Sequence, residues 1–311
     1  MATKLVPKEL AKQKDRLAPG HRLCAGCGAP IVVRQMLAAI DDPVVIANAT
    51  GCLEVATSIY PYSSWRVPWM HNAFENAAST IAGIEAAYRS LVRQGKMEEK
   101  NVKFLAFGGD GGTYDIGLQA LSGAAERGHQ MLYVCYDNGA YMNTGIQRSS
   151  ATPLGASTTT SPAGKKIPGK QQNRKDLTAI MAAHNIPYVA QAAPSQWRDL
   201  MQKTRKAVNC GGAAFMNVLA SCNRGWRHPT DTTIEMTQLG VDTCYWPLFE
   251  VENGEWKLTY KPKEKRPIEE WIKLQGRFRH VFKPENRHLI DEMQAEIDRR
   301  WERLLKLCGE A

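Results

Sequence analysis

The sequence predicts an α/β protein: a doubly wound, mostly parallel sheet with a C-terminal extension. Three observations carry this expectation. The apolar runs VVIANA, VKFLAF, MLYVCY and AAFMNVLA are β-rich and stop at small or polar residues, as buried parallel strands do where they leave a sheet. Helical patterns alternate with these runs as far as Cys222. The 311 residues, 43% hydrophobic, are enough for one large core.

In chain order, residues 1–19 form a basic arm whose lysines are expected to cover a surface. Residues 20–225 are expected to be the α/β domain and 226–311 the extension. Pro30 starts a helix through Ile31, Val32, Leu37 and Ala38. The alanine-rich run Phe74 to Leu91 forms the next, with Asn72 as its cap and Asn76 a candidate contact. Asp115 to Arg127 is the helix between VKFLAF and MLYVCY, ended by Gly128-His129. The segment Ser149 to Asn173 is rich in Ser, Thr, Gly, Pro and Lys and too long for a simple connection, so it is expected to cover a site or meet another subunit. Helices over Lys175 to His184 and Ser195 to Val208 flank a short strand at Tyr188 to Ala190. The extension holds a helix near Thr233 to Leu239, a hairpin around Glu252 to Glu255, and a last helix striped by Leu289, Met293, Ile297, Trp301 and Leu304.

The chemistry concentrates at two strand ends. VKFLAF runs into GGDGGTYDIG, and MLYVCY runs into DNGAYMNTG. Glycines 108, 109, 111 and 112 let the backbone approach a phosphate, and amides of the following helix donate to its oxygens. Asp110, the Asn138 amide oxygen and the Ala140 carbonyl are the hard donors magnesium prefers. Each block alone also fits an ordinary turn. Together they sit 28 residues apart, from 110 to 138, which matches one strand-helix-strand unit and sets the two tips side by side.

Eight cysteines and no secretory leader point to metal ligands, buried thiols or redox groups. Cys24 and Cys27 form a CxxC loop. Cys52 and Cys222 each follow a strand and can join that loop if their strands are parallel neighbours. Spacing leaves zinc and an iron-sulfur cluster both open. Cys135, Cys210, Cys244 and Cys308 read as buried or incidental thiols, His71, His184 and His228 as structural, and His129 as a surface or capping histidine.

A formal charge of +9 is spread among acids, as in EIDRRWERLLK, which argues for solvated surface over nucleic-acid binding. It suits an acidic electron carrier. No run is long and apolar enough to cross a bilayer, and a cytoplasmic location is expected.

The glycine-aspartate-glycine block followed by its asparagine resembles the thiamine diphosphate signature. With GHRLCAGCGAP, ATGC, VPWMHNAFENAAS, YMNTGIQRSSATP and TTTSPAGK, nearly the whole chain is similar to the beta subunits of pyruvate:ferredoxin oxidoreductases, in the 2-oxoacid:ferredoxin oxidoreductase family. The resemblance implies a thiamine-diphosphate-binding sheet, with Gly109, Asp110, Gly111, Gly112, Asn138, Ala140, Asn143, Thr144 and Cys52 around the cofactor. It assigns magnesium to Asp110, Asn138 and the Ala140 carbonyl, and one 4Fe-4S cluster to Cys24, Cys27, Cys52 and Cys222. Asn143 is the candidate substrate-side catalytic contact, and Arg148 a carboxylate or subunit contact.

The resemblance implies oxidation of pyruvate with CoA to acetyl-CoA and carbon dioxide, with electrons passed singly to ferredoxin. It further implies an alpha-type partner carrying the activating glutamate, and gamma- and delta-type subunits with ferredoxin-like clusters. Oxalate oxidoreductase is the alternative within the family. From other classes, a zinc-containing structural or nucleic-acid module accounts for the cysteines alone, and a dehydrogenase lacks its GxGxxG with the later acid.

Overall fold

The computed structural model describes residues 3–310. Met1, Ala2 and Ala311, the first two belonging to the basic arm, lie outside the described residues.

Eleven α-helices and eight strands are described. The helices are α1 (Pro7–Leu10), α2 (Gly28–Ala38), α3 (Cys52–Thr57), α4 (Ala77–Arg93), α5 (Leu118–Glu126), α6 (Leu177–Ala182), α7 (Trp197–Asn209), α8 (Asn223–Trp226), α9 (Thr233–Asp242), α10 (Ile268–Ile272) and α11 (His288–Leu307). The strands are β1 (Val44–Ala49), β2 (Trp69–Asn72), β3 (Lys103–Gly109), β4 (Leu132–Asp137), β5 (Tyr188–Ala192), β6 (Ala214–Leu219), β7 (Leu248–Glu252) and β8 (Glu255–Tyr260). They form one sheet in the order β2-β1-β3-β4-β6-β5-β7-β8. From β2 to β5 all pairs are parallel, and β7 and β8 are antiparallel.

Both faces of the sheet are covered, which is why β4 is buried along its whole length. Leu105 and Phe107 of β3 pack with Val32, Met36 and Leu200 of α2 and α7. Phe104 and Ala106 point the other way, into a core with Ile81, Leu121 and Leu177 of α4, α5 and α6. The period of two thus feeds two cores from one strand.

Several expectations need correction. Asn72 does not cap the helix after it. It lies in β2, a strand missed by sequence, and its Nδ2 donates to Thr80 Oγ1 at 2.7 Å. Asn76 takes the N-cap position without a side-chain bond and does not line the cofactor-side pocket described below. The helix expected from Asp115 begins earlier, as a wide π turn over Gly111–Ile116 that is closed by the Gly117 amide donating to the Gly112 carbonyl at 2.8 Å. Strands β1 and β6, which lead to Cys52 and Cys222, are parallel but not neighbours; β3 and β4 separate them. The hairpin of the extension is not apart from the sheet, because β7 pairs with β5. His129 is not a free surface histidine: its Nδ1 lies 2.9 Å from Oε2 of buried Glu85.

Candidate active site

Strands β3 and β4 are adjacent, with Gly109 paired to Tyr136, so the turns that follow them open on one edge. Asp110 starts the wide π turn and is 1% exposed. Its Oδ1 accepts from the Asn138 backbone amide at 3.3 Å, and Ser149, from the long segment after β4, donates its hydroxyl to Oδ2. One terminal atom of the Asn138 side-chain amide lies 2.9 Å from Asp110 Oδ1 and 2.9 Å from the Ala140 carbonyl oxygen. As nitrogen, that atom donates to both. As oxygen, it gathers three acceptors with no proton among them. Octahedral magnesium, with bonds of about 2.1 Å, spaces adjacent ligands by about 3 Å. The donor set therefore fits magnesium in chemistry and in spacing.

The electrostatics point the same way. Burial, and then the charge of Asp137, push the Asp110 carboxyl up to about 8. Asp137 itself is held by the Gly139 amide at 3.1 Å and by Arg174 at 2.6 Å. Asp110 has only the Ser149 hydroxyl and the Asn138 amide among the described residues. A buried carboxyl raised this far keeps its proton unless a bound cation takes the proton's place.

The two turns are locked together. Tyr141 Oη donates to the Gly111 carbonyl at 2.8 Å and lies 3.3 Å from Asp115 Oδ2. The ring passes so close that a Cβ on Gly111 would sit 2.3 Å from it. Trp226 Nε1 donates to the Asn138 carbonyl at 2.6 Å and Thr152 Oγ1 to the Gly139 carbonyl at 2.7 Å. Between them lies a pocket of about 30 Å³. Its walls include Gly109, Gly111, Gly112, Asn138, Ala140, Asn143 and Thr144, and also Cys52. Asn143 is exposed, Thr144 Oγ1 is tied to Gln147, and Arg148 is exposed and has its backbone amide on Thr160 Oγ1 at 2.9 Å.

Cys24, Cys27, Cys52 and Cys222 approach one another although their elements are far apart in sequence. Burial raises Cys27 to about 12 and Cys52 to about 11, with nearby thiols adding to both; Cys222 is also raised by burial. The Cys24–Cys27 turn docks on the Cys222 loop through the Gly28 amide, which donates to the Ser221 carbonyl at 3.0 Å. Gly26, at φ +75°, leaves no room for a Cβ, which would lie 2.3 Å from the Thr230 carbonyl oxygen. Among the described residues no three His, Cys, Asp or Glu side chains converge on a single ion position. One zinc ion draws its thiolates to about 2.3 Å from itself, whereas a cluster of several irons holds them further apart. Four thiols from separate elements that act on one another's titration suit a thiolate-bound metal centre.

The four cysteines and the oxygens of Asp110, Asn138 and Ala140 share one edge. Cys52 lines the pocket with Asn138, and Met142, from the turn after β4, packs beside Gly225 in the Cys222 loop. Buried Tyr136 stands between the two, its hydroxyl near Gly51 and Gly109.

Sequence reasoning missed Asp137, Ser149, Tyr136 and Tyr141. Asp137 carried a signal, a carboxylate at the end of an apolar strand. Ser149 carried none.

Residues 49–218 match the family described as thiamine pyrophosphate enzyme, C-terminal TPP binding domain. The chain is 52% identical over 309 residues to the pyruvate synthase subunit PorB of Thermotoga maritima, covering 96% of this chain and 95% of that one. It is 54% identical over 287 residues to the subunit of the same name from Methanocaldococcus jannaschii, covering 92% and 95%. A solved 2-oxoglutarate:ferredoxin oxidoreductase from Magnetococcus marinus superimposes with a TM-score of 0.56 at 22% identity, over 76% of this chain and 83% of that one, and shows the shared fold.

Proposed function

The chain belongs to the beta subunits of the 2-oxoacid:ferredoxin oxidoreductases, which are thiamine-diphosphate-dependent enzymes, and on that premise we propose that it serves a complex oxidising pyruvate. Pyruvate and CoA become acetyl-CoA and carbon dioxide, reversibly, and two electrons leave one at a time to ferredoxin. The names of the relatives favour pyruvate over oxalate, and membership of the family sets aside the zinc module.

Thiamine diphosphate, when bound, would supply carbanion and electron-sink chemistry toward a 2-oxo acid. The chain's own residues position it. Gly109, Gly111 and Gly112 open the backbone to the diphosphate. Asp110, Asn138 and the Ala140 carbonyl would hold magnesium against it, and the convergence of their oxygens carries this reading. Asn143 and Thr144 stand at the pocket wall and would face the substrate. Cys24, Cys27, Cys52 and Cys222 would hold a 4Fe-4S cluster, the one-electron acceptor. Cys52 and Tyr136 link the thiol set to Asp110, so a cluster held there would take electrons from the cofactor directly.

The shallow pocket supports an alpha-type partner that closes over the cofactor and brings the activating glutamate. Subunits with ferredoxin-like clusters would carry electrons onward, in an assembly in the cytoplasm. No helix among the described residues is long and apolar enough to cross a membrane. Residues 20–225 would be the catalytic domain and 226–311 its extension, with the 149–173 segment bracing Asp110 from below. The test is an anaerobic assay of the assembled complex on pyruvate, oxalate, 2-oxoisovalerate and 2-oxoglutarate, reading ferredoxin reduction. Pyruvate is expected to be the best substrate and to require CoA; preference for another acid overturns the assignment.

A further inference from the structure

A second cavity, of about 340 Å³, lies between the sheet and α6, α10 and α11 and shares no lining residue with the cofactor pocket. Its size is that of a small-molecule site, about 300–1,000 Å³. Trp246, Phe249, Trp256, Ile297 and Leu304 make apolar walls.

Polar groups interrupt those walls, Asn217 and a set of basic side chains among them. Asn217, 1% exposed, lines the cavity. Its Nδ2 donates to Tyr114 Oη at 2.7 Å and to Thr178 Oγ1 at 3.2 Å, while its Oδ1 has no donor. Turning the amide round moves the deficit without removing it: Thr178 spends its proton on Gln191 Oε1 at 2.8 Å, the Tyr114 hydroxyl is bonded to Asp137, and the amide nitrogen would lose both of its acceptors. A buried acceptor left bare costs about 1–3 kcal/mol. At the mouth stand Arg299, Arg300 and Arg303 of α11 with Lys175. Glu296 pairs with Arg299 and Arg300. Arg303 has neither ion pair nor hydrogen bond among the described residues.

We infer that this cavity binds a small amphipathic carboxylate. Its ring-sized apolar body lies among Trp246, Phe249, Trp256 and Ile297, its carboxylate meets Arg303, and a hydroxyl or N–H at its far end donates to Asn217 Oδ1. The inference does not rest on the choice of pyruvate as substrate.

The experiment measures binding of naphthoate and hydroxynaphthoate to the assembled complex by calorimetry and tryptophan fluorescence. Both are expected to saturate one site per chain, with hydroxynaphthoate about tenfold tighter, the value of one added hydrogen bond. Arg303→Glu, an exposed change, is expected to weaken naphthoate at least about fivefold and leave neutral naphthol unaffected. Ile297→Trp, which fills the space, is expected to abolish binding of all three. No saturable binding overturns the inference, and so do unchanged affinities in both variants.

Discussion

Arg174 and Asp137 form a buried ion pair at 2.6 Å, and it commits the nearby guanidinium to Asp137, leaving Asp110 to hydroxyl and amide donors. The pair fixes Asp137 at the end of β4, one residue before Asn138. The guanidinium is also stacked on Trp246 at 4.6 Å and on Tyr245 at 5.4 Å.

Replacing Arg174 by Met leaves Asp137 buried and uncompensated. A loss of about 3–5 kcal/mol in unfolding free energy is expected, read by denaturant titration. Adding Asp137→Asn to the same chain is expected to recover part of it. An Arg174→Met protein as stable as the parent would contradict the pairing.

Asp110 makes cofactor uptake depend on pH. Its folded carboxyl titrates near about 8, against about 3.9 for an unfolded aspartate. Between those values the folded apoprotein keeps a proton that the unfolded chain has lost. The group's contribution to stability is therefore complete below about pH 4 and lost as pH rises through about 8. Magnesium bound to the carboxylate would displace the proton. Calorimetry of magnesium and thiamine diphosphate uptake near pH 6.5, in buffers of different ionisation enthalpy, is expected to show release of about one proton, absent in Asp110→Asn.

Gly111 has no space for a methyl group, because the Tyr141 ring occupies it. Gly111→Ala is expected to push the turn from Asn138 to Thr144 away and weaken thiamine diphosphate binding at least about tenfold. Gly83, on α4, has open space around its missing Cβ. Gly83→Ala is expected to leave binding unchanged and to stabilise by about 0.5–1 kcal/mol. Equal binding by the two variants would remove Tyr141 from the site.

Much of this site was legible in the chain itself, for local reasons. Apolar runs ending in glycine and aspartate marked β3 and β4, and the interval from Asp110 to Asn138 made their tips adjacent. The four cysteines were picked out by strand ends and a CxxC loop. The route to their meeting was not, because β1 and β6 are two strands apart and the Cys24–Cys27 loop has to bridge them. Ser149 under Asp110 and Arg174 on Asp137 were invisible for a different reason. Each contact spans more than thirty residues and arises only when the 149–173 segment folds back beneath the turns. Strand β2 was hidden by its length of four residues and its partial exposure.

The shared edge of thiols and magnesium donors is tested most directly by counting iron in anaerobically prepared complex, with and without Cys222→Ser. The expected difference is about four irons and four sulfides per chain, together with loss of pyruvate-dependent ferredoxin reduction. Equal iron in both preparations, or stoichiometric zinc in place of iron on this chain, would contradict it.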